Sequence, residues 1–247
     1  MGTGLNASRT FGPLAIKKIS EFTGIPFTLA KNPFEAIAGR DAVAEASGQL
    51  KTVAVSLMKI VNDLRWMSSG PRCRLEEIIL PALQPGSSIM PGKVNPVVLE
   101  SIMMICATVM GHYVAIKIGG QHGNFELNTM MPMMVDYLQV SIRLLAHGVL
   151  NLADTCVGGI QANEERTATL IERSLALCTA LTLIIGYDAA ADIAKEGFSM
   201  GKTVHQVSLE RKVLPEKELN RVLDPMRLRK PGLFSFSCQS RLRHSSR

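Results

Sequence analysis

Aromatic residues make up only 5% of this 247-residue sequence, and Trp66 is its one tryptophan. The 47% hydrophobic fraction is instead drawn from Ala, Leu, Ile, Val and 13 Met, which disfavours a β-rich fold and predicts helix packed on helix. Cysteine is also sparse. Cys73, Cys106, Cys156, Cys178 and Cys238 are odd in number, scattered and without a C-x-x-C pair, and three of them fall in apolar helical runs. This implies a reducing compartment and buried thiols. No charged-then-apolar signal segment opens the chain. The longest charge-free apolar stretch, Ser101 to Ile116, is 16 residues, short of the roughly 20 of a membrane span, so a soluble protein is expected. The net charge of +6 has little to do with the body of the chain. Seven basic residues and one acid lie between Arg221 and Arg247, leaving 20 of each sign in residues 1–220. A basic tail on a neutral body reads as a solvated end, not a nucleic-acid reader.

What is abundant is helical periodicity. Asn32, Pro33 and Glu35 form a capping-box pattern. From there Phe34, Ile37, Leu50, Val53, Leu57, Ile60, Val61 and Leu64 predict one helix of more than thirty residues, ending at "SSGPR". Two more long helices are expected from about Pro96 to Ile118 and from about Glu126 to Cys156, the latter kinked at Pro132. Both are apolar on more than one face and rich in Met, a core-packing pattern that requires neighbours on several sides. Asn163 begins a run of shorter helices. The expected organisation is a central helical-bundle domain over residues 1–160, a small helical domain over 161–233 and a disordered basic tail over 234–247.

One stretch departs from this pattern. "GSSIMPGKVNP", Gly86 to Pro96, sets two serines, a lysine and an asparagine among glycines and prolines. It is not a P-loop, because five residues, not four, separate Gly86 from Gly92 and Val94 occupies the hydroxyl position. Asn95 and Pro96 read as the cap and first residue of a helix, whose N-terminal dipole, with Lys93 beside it, favours an anion such as a carboxylate. Backbone N–H groups following Gly86 can stabilise a deprotonated Ser87 or Ser88 as an oxyanion hole does. A mobile connection between two helices remains the alternative reading.

The same stretch is similar to the signature of the fumarase and aspartase superfamily. "GTGLN" (Gly2 to Asn6), "KNPFEA", "SLMKIVNDLRW", "SSGPRC", "GNFELN" and "IGYDAAADIAKEG" point within it to class II fumarate hydratase, and Gly92 resembles the fumarase form of the loop over the aspartase form. The resemblance covers about residues 2–232. It implies an all-α fold with a long-helix bundle of the fumarase/aspartase type, a small helical C-terminal domain and a missing N-terminal domain. It further implies reversible hydration of fumarate to (S)-malate, in which a proton is lost beside a carboxylate that carries the resulting charge as an aci-carboxylate.

Residue by residue, Ser87 matches the family's catalytic base and Ser88 a neighbouring substrate contact. Lys93 and Asn95 match the ligands of the substrate carboxylate, and Glu100 matches the acid that orients a catalytic histidine. That histidine belongs to an upstream "THxQD"-type motif which this sequence lacks, along with the upstream "SSxMPxN" loop. His112, His122, His147, His205 and His244 do not replace it. The resemblance therefore implies a homotetramer with active sites shared among subunits, a dicarboxylate substrate, and neither a metal nor an organic cofactor. Nucleic acid and membrane are not expected partners. The compartment is cytoplasmic or the mitochondrial matrix, and the chain is expected to be an incompetent part of a longer enzyme. Two other readings stay open: a non-catalytic assembly partner of fumarase tetramers, and an aspartase-type ammonia-lyase.

Overall fold

The computed structural model describes residues 3–70, 73–84, 86, 89–90 and 92–229. Ser87, Ser88 and the tail over 234–247, with Cys238 and His244, lie outside the described residues. Two compact units divide between Gln161 and Ala162.

The first unit begins with α1 (Phe11–Thr23) and α2 (Pro33–Ala38). Asn32 caps α2 as its sequence suggests, accepting from the N–H groups of Phe34 and Glu35, with Pro33 in the first turn. The expected continuous helix is corrected here. Gly39 is extended (φ −67°, ψ 139°), and α3 (Asp41–Met67) starts separately. The Arg40 guanidinium folds back onto the carbonyls of Ala36, Ile37 and Gly39, so the last carbonyls of α2 are satisfied without another helical turn.

Along α3 the buried residues are Ser47, Ala54 and Val61, seven apart, each followed three residues later by a partly buried leucine, Leu50, Leu57 and Leu64. This is a heptad seam of small residues that lets a neighbouring helix approach closely. The neighbour is α4 (Val97–Gln121), whose buried Leu99, Ile102, Cys106 and Val109 recur at alternating three- and four-residue steps, with Ile116 two turns further on. On its other side α4 packs against α5 (Met131–Thr155), through Met134, Ser141, Leu145 and Leu152. Each fully buried aliphatic side chain contributes about 1.5–3 kcal/mol relative to an exposed one, so this seam dominates the unit's stability.

The α4–α5 connection rests on Asn128, which is fully buried. Its side chain donates to the Gly119 carbonyl near the end of α4 (3.0 Å) and accepts from the Met130 N–H just before α5 (2.9 Å). Consequently α5 starts at Met131, later than expected, and Pro132 sits in its first turn, where it costs no helical hydrogen bond and makes no kink. Asn128→Ala should lower stability by about 2 kcal/mol, because two buried backbone groups lose their partner. The shift of the urea unfolding midpoint measures it.

Several apolar side chains on these helices face outward from the single chain: Met104 is 65% exposed, Leu150 61% and Val114 53%. The helix that contains the 16-residue charge-free stretch also runs nine residues longer than that stretch. By length and composition α4 and the Met131–Gly159 segment are long and apolar enough to cross a membrane, which corrects the expectation drawn from run length.

In the second unit Asn163 caps α6 (Glu164–Glu172) by accepting from the Arg166 N–H. A 3-10 stretch (Leu175–Leu181) and α7 (Thr182–Ile185) follow, and the chain breaks at Gly186 before α8 (Tyr187–Met200). Then come α9 (Val204–Glu210), opened by a Thr203–Gln206 capping box, α10 (Glu216–Val222) and α11 (Pro225–Leu228). Their core is Leu177, Cys178, Leu181, Ala190, Ile193, Val204, Val207, Leu219 and Val222.

The thiols of Cys106, Cys156 and Cys178 are buried as expected, and burial pushes each above its ordinary range. The folded state therefore holds these protons more tightly than the unfolded chain does. Their contribution to stability is intact below the ordinary thiol pKa and is lost as pH rises above about 8.5. Unfolding at pH 7.5 and 9.5 checks this: Cys106→Ala should lower overall stability and shrink the difference between the two pH values.

Candidate active site

The site is built on the segment between Gly86 and Glu100, which leads into α4. Gly86 closes the loop. Its N–H donates to the Lys93 carbonyl at 2.6 Å, and its own carbonyl accepts from the Asn95 side-chain amide at 2.9 Å. The approach is so close that a Cβ added at Gly86 would stand 2.4 Å from the Lys93 carbonyl oxygen and 3.0 Å from the Val94 nitrogen. Within the loop the Lys93 N–H donates to the Met90 carbonyl (3.2 Å). Gly92 has φ +80°, a left-handed conformation that penalises any side chain. The glycine that reads as fumarase-like is therefore also the residue this backbone demands.

Asn95 does not cap α4 in the expected way. Its side chain is turned to Gly86, Pro96 is the N-cap residue, no side chain caps the helix, and the first helical residue is Val97. The Val97 N–H donates to the Asn95 carbonyl at 2.9 Å. The bond to Gly86 holds the Asn95 side chain away from the helix start, whose N–H groups take no side-chain acceptor. The positive end of the α4 dipole still lies a few residues from Lys93. Lys93 is exposed and makes no ion pair among the described residues. Glu100, half-buried in the first turn of α4, has a carboxylate without a hydrogen-bond partner among the described residues. The structure thus brings Gly86, Lys93 and Asn95 together at one loop and places Glu100 on the helix that follows.

A cavity of about 310 Å³ lies beside this loop. Asn95, Gly92 and Val94 line one side, and Ile78, Leu80 and Leu83 belong to the other. Its lining includes neither Lys93 nor Glu100, and it does include Glu76.

No histidine lines the cavity among the described residues. His112 is committed within the bundle. It stacks on Tyr137 with ring centroids 4.4 Å apart, and its Nδ1 lies 3.0 Å from the Ser141 hydroxyl. That hydroxyl donates to the Tyr137 carbonyl at 2.7 Å. Its single proton is spent there, so Nδ1–H must donate to it, and the pair cannot serve as a base with its nucleophile. His205 bonds to Asn220 at 2.5 Å in the second unit. Sequence reasoning missed the latch at Gly86, whose partners lie seven and nine residues away and which only the contact itself reveals.

A family described as "Lyase" matches residues 1–111, and one described as "Fumarase C C-terminus" matches residues 177–230. A class II fumarate hydratase of Xylella fastidiosa is 47% identical over 233 residues, 94% of this chain and 49% of the relative. The chain belongs to the fumarase/aspartase superfamily. A mitochondrial fumarate hydratase of Arabidopsis thaliana is 46% identical over 94% of this chain and 47% of the relative. A crystal structure of a fumarate lyase:delta crystallin from Brucella melitensis bound to cobalt superposes with a TM-score of 0.86 at 44% identity. It covers 93% of this chain and 50% of that one. The superfamily's helical fold is therefore that of this chain, which spans about half the length of the curated relatives it matches.

Proposed function

We propose that this chain supplies the signature-loop part of a fumarate hydratase active site, for reversible hydration of fumarate to (S)-malate. The observation that carries the reading is Lys93, without an ion pair among the described residues, held beside the start of α4 by the Gly86 latch. Loss of a proton from the carbon next to a carboxylate puts a second negative charge onto that group. A fixed cation and a helix N-terminus gain most from the extra charge, so they stabilise the transition state more than the substrate. In this reading Ser87 takes the proton, Ser88 touches the substrate, Lys93 and Asn95 hold the carboxylate, and Glu100 waits to orient a histidine from elsewhere. The chain alone is then incompetent.

The outward apolar residues of α4 and α5 support assembly with like helices into a homotetramer, where they would be buried. The names of the relatives cover a bacterial and a mitochondrial enzyme, so the cytoplasm and the mitochondrial matrix are both proposed compartments. Malate-dependent appearance of fumarate absorbance tests the activity. The chain should be silent by itself and active when co-assembled with a full-length class II fumarase whose own signature-loop lysine has been replaced. The same outward faces favour a second reading, a non-catalytic assembly partner, which predicts tetramers by light scattering with no turnover in any mixture. A clean monomer refutes it. Ammonia release from aspartate would identify an aspartase-type enzyme instead.

A further inference from the structure

We infer that Asn95, besides the carboxylate contact proposed above, acts on the reaction as a positioning residue, through Gly86. The inference rests on the fumarase reading above and deepens it. One Asn95 amide N–H is already committed to the Gly86 carbonyl (2.9 Å), and the Gly86 N–H is committed to the Lys93 carbonyl (2.6 Å). At the other end the Asn95 carbonyl accepts the Val97 N–H, at the first residue of α4. These three bonds run from the rigid helix through Asn95 and Gly86 to the backbone of Lys93. The lysine side chain is exposed and without an ion pair among the described residues, so no side-chain contact of its own fixes it. Its place depends on its backbone, and its backbone depends on Asn95. A group oriented this way loses effectiveness steeply when displaced by a fraction of an ångström.

Asn95→Asp separates positioning from simple loss of a side chain. The carboxylate keeps the size of the amide but turns acceptor against the Gly86 carbonyl, and protonation at low pH restores a donor. On the chain itself, site-resolved hydrogen exchange at neutral pH should show the Gly86 N–H exchanging at least ten-fold faster in N95D than in wild type. Amides of α3 to α5 serve as the unchanged reference. Near pH 3 the two proteins should converge, and Lys93→Ala should leave the Gly86 protection intact. Unchanged Gly86 protection in N95D at neutral pH overturns the inference, whatever the activity.

Turnover provides the second readout, in the co-assembled enzyme with Gly86→Ala, Asn95→Ala and the double variant. If Asn95 works through Gly86, the double variant falls within about two-fold of the worse single one. Losses that multiply would show Asn95 acting independently of Gly86 and would overturn the positioning role. If no assembly turns over malate, the fumarase reading fails, and the exchange result still decides whether Asn95 positions the loop.

Discussion

Gly86→Ala should reduce turnover of the co-assembled enzyme by about 100-fold while leaving the helical unit as stable as before. The added methyl would stand 2.4 Å from the Lys93 carbonyl oxygen and 2.7 Å from its carbon. Both are backbone atoms that no rotamer change can move aside. The only relief is to break the Gly86–Lys93 bond and displace the loop end by about an ångström, a misplacement that costs about two orders of magnitude in rate. The seam of α3, α4 and α5 does not include Gly86, so the urea midpoint should stay within experimental error. A variant that keeps full activity would show that the latch does not set the loop's working geometry.

Lys93→Ala should cost more, about 100- to 1,000-fold in kcat, because in the proposed function it removes a full charge that meets the developing aci-carboxylate. The split between parameters is informative. Loss mainly in kcat identifies an interaction that strengthens in the transition state, whereas a rise in KM alone would make Lys93 an ordinary substrate anchor. Lys93→Arg keeps the charge but spreads it over a planar fork, and should recover only part of the rate. Since the Lys93 side chain is exposed and makes no ion pair among the described residues, its removal should leave stability unchanged. Steady-state kinetics of the same co-assembled preparation measures all three expectations.

The elements that were legible in the sequence were those fixed by local chemistry. Asn32 and Asn163 cap helices because each is a short side chain with an acceptor just ahead of a helical run. The three long helices of the bundle, α3, α4 and α5, followed from their apolar spacing. The misreadings share a cause: a side chain found a partner beyond the reach of a local pattern. Arg40 folds back on three carbonyls and ends α2, although the apolar period runs on past it. Asn128 fixes where α5 begins, and with that start Pro132 becomes a first-turn residue in place of a kink. Asn95 leaves the helix start for Gly86.

The site was legible to a similar depth. The residue types that make an anion-binding loop were visible, and Lys93 and Asn95 do share one loop with Gly86. Ser87 and Ser88 lie outside the described residues. The latch was not visible, because no periodicity or spacing rule marks a glycine whose value is the absence of a Cβ against a distant carbonyl.

The most direct test is turnover of malate to fumarate by three preparations. They are this chain alone, this chain co-assembled with a full-length class II fumarase disabled at its own signature-loop lysine, and the same mixture made with Lys93→Ala. The account predicts no turnover by the first, clear turnover by the second and its loss in the third. Turnover by the isolated chain, or a mixture indifferent to Lys93, would contradict it.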